Sequence, residues 1–489
     1  MQLIATSIVI DPDAEQPVYL QIANQLLGLI KEGTLPTAQR LLSTRKLAEL
    51  LKVHRKTIVR AYDELLVQGW LESEAGNGTF VSKNLPVVKL EKLPVNIGKQ
   101  ATPLKTAGYR IGTPAFLERK LLKHTTRYHL DDGYPDGRIS PLTELSRAYR
   151  TQLRAGSPYS RLGYGDPKGS LWLREELSRF FFDSRGFNIT AENILITRGT
   201  IMGIYLVSAA LLQPGDNVVM GELGWMGANM NFLQAKANVL RIGVDQHGIV
   251  IEELRQLCLL KNIRLVYITP HHNYPTTVAL RADRRMQLLN LAEEFGFIIF
   301  EDDYDYDFHY LNRPLQPLAG ADKTGNVLYC GSFAKTIAPG FRVGYLVGPE
   351  NVIQHLSGLR RIIDRQGDSM LESAIAELLH FGTIQKHLRR SLRIYRERRD
   401  AITELMKYHL LDKVNFQSPD GGMAVWTTFD PAINVKELLG KALKKDIYIN
   451  DGSGQCSNVY AENSLRLGFA SSTPSELEYM IETIGKLTR

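Results

Sequence analysis

Between residues 171 and 347, short apolar runs alternate with helical stretches, and few folds accommodate that rhythm. Residues 171–182, 200–212 and 283–294 carry a helical pattern. Residues 194–197, 217–220, 239–242, 265–268, 297–300 and 327–329 are short, mostly apolar runs, as in strands buried on both faces. Such alternation predicts a mostly parallel α/β sheet. Ligands bind such sheets outside the carboxyl ends of the strands, so the residues that follow each run form the candidate site.

Those residues are rich in chemistry. Arg198-Gly199-Thr200 follows the first run and opens a helix, where backbone N–H groups suit a phosphate. Trp225 follows the second, and either stacks on a flat cofactor ring or packs in the core. The polar run TPHHNYPTT follows 265–268. EDDYDYD follows 297–300, with five acids in seven residues. Such a cluster either binds a metal or sets one aspartate against a pyridine nitrogen and keeps it protonated. It lacks octahedral or EF-hand spacing. GSFAKTIAPGFRVGY follows 327–329. A desolvated Lys335 can lose its proton and attack an aldehyde as a Schiff-base amine, while Ser332 and Arg342 are placed to hold a phosphate.

Residues 1–82 follow a different pattern. Tyr19, Ile22, Leu26, Leu29 and Ile30 recur at a helical period, and so do Leu47, Leu50 and Leu51, then Ile58, Val59, Tyr62, Leu65 and Leu66. WLESEAGNGTFVS reads as two short strands around Gly76-Asn77-Gly78. Three helices and a hairpin make a winged helix-turn-helix. Residues 40–60 hold seven cations against one anion, although residues 1–82 as a whole are slightly acidic. That local excess is the footprint of phosphate contacts. Arg55, Lys56 and Thr57 open the third helix, where a recognition helix reaches base edges. Residues 83–124, with nine Lys and Arg against two Glu, read as an extended basic tether. Residues 386–399, KHLRRSLRIYRERR, read as a solvated basic helix face or an accessory DNA-tracking surface.

Length divides the 489 residues into several units: a DNA-binding head (1–82), the tether (83–124) and an α/β domain (125–489). No apolar run is long enough for a membrane span. The scattered Cys258, Cys330 and Cys456 and the lack of a secretory leader pattern place the chain in the cytoplasm.

The head resembles the GntR-type winged helix through VYLQIANQLLGLIKEGTLP and LSTRKLAELLKVHRKTIVRAYDELLVQGWLESEAGNGTFV. That resemblance implies DNA contacts from Arg45, Arg55, Thr57 and Gly78. His54 stands where a small helix-capping residue is usual, which predicts a weaker cap. The larger unit resembles the fold-type I aminotransferases that use pyridoxal 5′-phosphate (PLP), through YGDPKG, EDDYD, GSFAKTIAPGFRVGY and LRLGFA. Together the two parts resemble the MocR/GabR family of transcriptional regulators.

By that resemblance Lys335 carries PLP as a Schiff base, and Asp302 pairs with the pyridine nitrogen. Tyr304 and Asn273 contact the ring and Trp225 stacks on it. Gly199, Thr200, Ser332 and Arg342 hold the phosphate. Tyr164 reaches the phosphate of a neighbouring subunit in a homodimer, and Arg466 clamps an amino-acid carboxylate. The implied partners are an operator in double-stranded DNA and an effector that is an amino compound or PLP itself. A working aminotransferase with an accessory head is the alternative. In the head, Thr37-Ala38 and Leu42 replace a usual Pro-Gly and a usual proline. In the larger unit, Trp225 stands where relatives usually have Tyr, and further positions depart from the family pattern. Thr277 replaces a glycine, Ala334 replaces a serine, and Gly227 stands where a second carboxylate-binding arginine would be.

Overall fold

The computed structural model describes residues 7–488, apart from 15, 75, 86–105, 118–124, 158, 160–162, 312–314, 453 and 457–462. Most of the stretch read as a tether lies outside the described residues. The chain forms two compact units, Met1–Ile111 and Gly112–Arg489.

In the first unit, α1 (Val18–Lys31), α2 (Thr44–Leu50) and α3 (Arg55–Val67) precede a hairpin of β1 (Leu71–Glu74) and β2 (Gly78–Val81). Ile22, Leu26, Leu47, Ile58, Tyr62 and Leu65 meet in one apolar core. Ser43 caps α2 by accepting from the Lys46 N–H at 3.3 Å. At the start of α3 the His54 ring is the cap, its Nδ1 accepting from the Lys56 N–H at 3.2 Å. Gly76 and Gly78 hold positive φ at the tip of the wing.

The second unit is built on a seven-stranded sheet. Its strands are β3 (Ile194–Thr197), β4 (Asn217–Gly221), β5 (Asn238–Ile242), β6 (Ile263–Ile268), β7 (Ile298–Asp302), β8 (Val327–Ser332) and β9 (Gly344–Val347). They lie in the order β3-β9-β8-β7-β6-β4-β5. The pairs β8–β7, β7–β6, β6–β4 and β4–β5 are parallel, and β9 runs antiparallel to both neighbours. Alternate residues serve opposite faces. Leu265 and Tyr267 join one core, and Val266 and Ile268 join another. Burial on both faces explains why these strands read as apolar runs.

Helices α4 (Leu171–Arg185), α5 (Thr200–Leu211), α6 (Met226–Gln234) and α7 (Ala282–Phe295) connect or cover the strands. The long α8 (Thr383–Leu410) follows. A three-stranded antiparallel sheet of β10 (Val414–Phe416), β11 (Ala424–Phe429) and β12 (Ser464–Gly468) completes the unit and carries Arg466. On α8, Lys386, Arg389, Arg390, Arg393 and Arg396 are exposed. Arg398 and Arg399 turn inward instead, and Arg398 pairs with Asp136 at 2.8 Å.

Candidate functional site

A cavity of about 290 Å³ opens at the carboxyl ends of the parallel strands. Its wall includes Thr200, Trp225, Asp302, Tyr304, Ser332, Lys335 and Arg342, so the sheet gathers residues that lie far apart in sequence. Asp302 ends β7 and Ser332 ends β8, while Thr200 opens α5.

Lys335 is half-buried on this wall. Its Nζ donates to the Gly133 carbonyl and lies 5.2 Å from the Tyr134 ring centre. Burial pushes its pKa below the ordinary lysine range, against the pull of the Asp132 carboxylate. A lysine in that setting supplies neutral amine more readily than a solvated one.

Asp302 is 2% exposed. Its Oδ2 accepts from the Tyr267 hydroxyl at 2.7 Å, and its Oδ1 is buried with no partner. Burial raises its pKa to about 7 despite the Tyr267 hydrogen bond. An unpartnered, buried carboxylate oxygen on a residue of the cavity wall is free to accept from an N–H donor. The other acids of EDDYDYD are divided among separate partners. Glu301 accepts from the Leu318 and Ala319 N–H groups at 2.9 and 3.0 Å. Asp303 accepts from the Tyr329 hydroxyl at 2.9 Å, Asp305 sits 2.7 Å from His272 Nδ1, and Asp307 pairs with Arg185 at 3.3 Å.

At the start of α5, Gly199 and Arg342 come together. Gly199 (φ 79, ψ 175) occupies backbone space that favours glycine. A Cβ there would lie 2.8 Å from Arg342 Nη2. That nitrogen donates to the Arg198 carbonyl at 2.7 Å, which fixes the guanidinium beside the helix N-terminus. Arg342 itself holds φ 53 to make the turn.

Trp225 precedes α6 and lines the cavity. Gly227 permits this, because a Cβ there would come within 2.7 Å of the indole. The position that lacks a second arginine is thus filled by the ring of Trp225. Thr277 keeps the backbone of the glycine it replaces, with φ 63.

Asn273 and Arg466 do not line the cavity, and Tyr164, expected at a neighbouring subunit, does not line its own. Asn273 is absent from the wall: its amide donates to Thr276 Oγ1 at 3.0 Å, and its neighbour Tyr274 lines the cavity instead. Arg466 is 1% exposed and lies behind the wall, with Nε 3.3 Å from Asp132 Oδ1 and Nη1 donating to the Pro275 carbonyl at 2.9 Å. Tyr164 is exposed, off its own chain's cavity, with the Arg365 guanidinium 4.0 Å from its ring centre. Sequence reasoning passed over Asp132, Tyr134, Tyr267 and Tyr274. Tyr267 sits inside an apolar run, and the others carried no spacing signal.

The head presents Arg40, Arg45, Lys46, Lys52, Arg55, Lys56 and Arg60 as exposed side chains. None of the seven is in an ion pair among the described residues. Arg55 Nε lies 3.4 Å from Thr44 Oγ1, which ties the first residue of α3 to α2.

Comparison with known proteins agrees with both units. The sequence matches the aminotransferase class I and II family over residues 133–484 and the gntR family of bacterial regulatory proteins over residues 18–81. The chain belongs to the class I and II aminotransferase family. More particularly, it is a GntR-headed transcriptional regulator of the MocR type, an architecture shared along nearly its whole length. MocR of Rhizobium meliloti, named a probable rhizopine catabolism regulatory protein, is 29% identical over 98% of this chain and 95% of its own. The HTH-type transcriptional regulator YdfD of Bacillus subtilis, itself uncharacterized, is 28% identical over 97% and 96%. Among solved structures, a Pyrococcus horikoshii kynurenine aminotransferase in complex with PMP superposes with a TM-score of 0.67 and 28% identity, covering 74% of this chain and 91% of that one.

Proposed function

We propose that this regulator holds PLP at Lys335 and changes its hold on an operator when an amino compound, or PLP itself, occupies the cavity. The observation that carries the reading is the pairing, on one cavity wall, of a lysine with a lowered pKa and an aspartate with an unpartnered buried oxygen. Both fit PLP. The cofactor, when bound, supplies an aldehyde for amines and an electron-withdrawing ring.

The chain's own residues do the rest. Lys335 offers a neutral amine to the aldehyde. Asp302 Oδ1 accepts from a protonated pyridine nitrogen, with Tyr267 holding the other oxygen. Thr200, Ser332 and Arg342 receive the phosphate at the start of α5. Trp225 covers the ring, and Tyr304 stands within reach of its hydroxyl. Tyr164, exposed on its own chain, serves a partner's phosphate in a homodimer. Arg45, Arg55, Lys56, Thr57 and Gly78 of the 1–82 head meet DNA, and residues 83–124 tether it to the 125–489 domain in the cytoplasm. A ligand moves operator affinity only by binding two states of the regulator unequally.

Borohydride reduction of PLP-treated protein followed by peptide mass mapping tests the attachment. The reading expects a phosphopyridoxyl label on Lys335. A label spread over surface lysines contradicts it.

A further inference from the structure

The guanidinium expected to receive a ligand's carboxylate already faces one. Asp132 Oδ1 lies 3.3 Å from Arg466 Nε, and Tyr274 donates to Asp132 Oδ2 at 3.0 Å. The Asp132–Arg466 contact is an ion pair without a hydrogen bond, whereas the other two nitrogens of Arg466 are hydrogen-bonded. Nη1 donates to the Pro275 carbonyl at 2.9 Å and Nη2 to the Tyr304 hydroxyl at 3.4 Å. The Tyr274 ring centre is 5.3 Å from Cζ.

Burial gives the order of these groups. Arg466 is 1% exposed and does not line the cavity, whereas the Asp132 side chain is 23% exposed and does. A ligand entering toward Lys335 therefore meets the carboxylate of Asp132 before the guanidinium. An α-carboxylate would have to displace Asp132 to make the two-pronged contact that arginine forms best. It would then sit beside a second negative charge in a partly desolvated space. An uncharged or cationic group meets no such opposition.

We propose that Asp132 sets the ligand class of this site: a primary amine with no carboxylate on its amino carbon, such as an alkylamine or a diamine, in preference to an α-amino acid. This rests on the reading that the cavity holds PLP at Lys335.

The test compares butylamine with L-norvaline, which differ by one carboxylate, together with 1,4-diaminobutane. Each is titrated calorimetrically into the full chain after PLP uptake has been verified by its absorbance. Wild type should bind butylamine and the diamine at least tenfold more tightly than L-norvaline. Asp132→Asn and Asp132→Ala should each narrow that ratio by about tenfold or reverse it, because Arg466 becomes free to take the carboxylate. Equal or tighter binding of L-norvaline by wild type overturns the inference while leaving PLP attachment standing. So does binding of neither ligand by the loaded protein, or an unchanged ratio in folded variants. If neither variant folds, the wild-type ratio decides. Failure to take up PLP overturns the underlying reading and the inference with it.

Discussion

The Tyr267 hydroxyl donates to Asp302 Oδ2 at 2.7 Å and leaves Oδ1 buried without a donor, on a residue that lines the cavity. One oxygen is held by the protein, and the other is left for a ligand. Tyr267→Phe removes the only hydrogen-bond donor to this carboxylate among the described residues. That hydrogen bond holds the Asp302 pKa down, so its loss leaves less of the ionised carboxylate that a pyridinium needs, and PLP affinity should fall about tenfold, measured by absorbance titration. Asp302→Asn should lower it further, because an amide offers no charge to a pyridinium. Unchanged affinity in both variants would place the ring elsewhere.

The same carboxylate gives a pH signature. Burial raises the Asp302 pKa to about 7, against about 3.9 for a free aspartate. The folded state therefore holds this proton more tightly than the unfolded chain. Its contribution to stability is complete below about pH 4 and is lost as pH rises through about 7. Glu301, raised by burial to about 8, acts in the same direction. Cofactor-free protein should lose melting temperature between pH 5 and pH 8, and Asp302→Asn should reduce that loss. PLP should stabilise more at pH 8 than at pH 5. An identical slope in the variant would remove Asp302 as the cause.

Gly199 tests the proposed phosphate site. With φ 79 and ψ 175, any other residue there costs about 1–3 kcal/mol of backbone strain. A new Cβ would also press on Arg342 Nη2 from 2.8 Å. Gly199→Ala should weaken PLP and inorganic phosphate together, as read by phosphate competition against PLP. Loss of PLP affinity with phosphate competition intact would mean the phosphate site lies elsewhere.

In the head, Arg55 is exposed at the first position of α3 and braced by Thr44. Arg55→Ala should weaken operator binding by about 1–3 kcal/mol, the worth of a bidentate guanine contact. Lys46→Ala should weaken operator and random DNA alike and reduce the salt slope by about one. Electrophoretic mobility assays over a salt series separate the two. Equal losses on operator and random DNA for Arg55→Ala would reassign it to the phosphate backbone.

Much of this arrangement was legible in the sequence, for physical reasons. Strands buried on both faces must be apolar throughout, so the runs at 194–197, 217–220 and 265–268 announced themselves. Strand ends carry the polar residues, which exposed Asp302, Ser332 and Lys335. β9 was hidden because its glycine-flanked start reads as loop, yet it pairs antiparallel between β8 and β3. Asn273 and Tyr274 are adjacent, and only the loop's folding decides which reaches the cavity. Asp132 and Arg466 meet from opposite ends of the domain, and no local pattern records that contact.

In the proposed function, Lys335 links a small molecule to DNA. The direct measurement is operator affinity, with and without PLP, for wild type and Lys335→Ala, alongside the cofactor's absorbance. PLP should give wild type the spectrum of lysine-bound cofactor and shift its operator affinity, and the variant should show neither effect. Normal lysine-type absorbance in Lys335→Ala, or the same PLP-induced shift in operator affinity, would rule out Lys335 as that link.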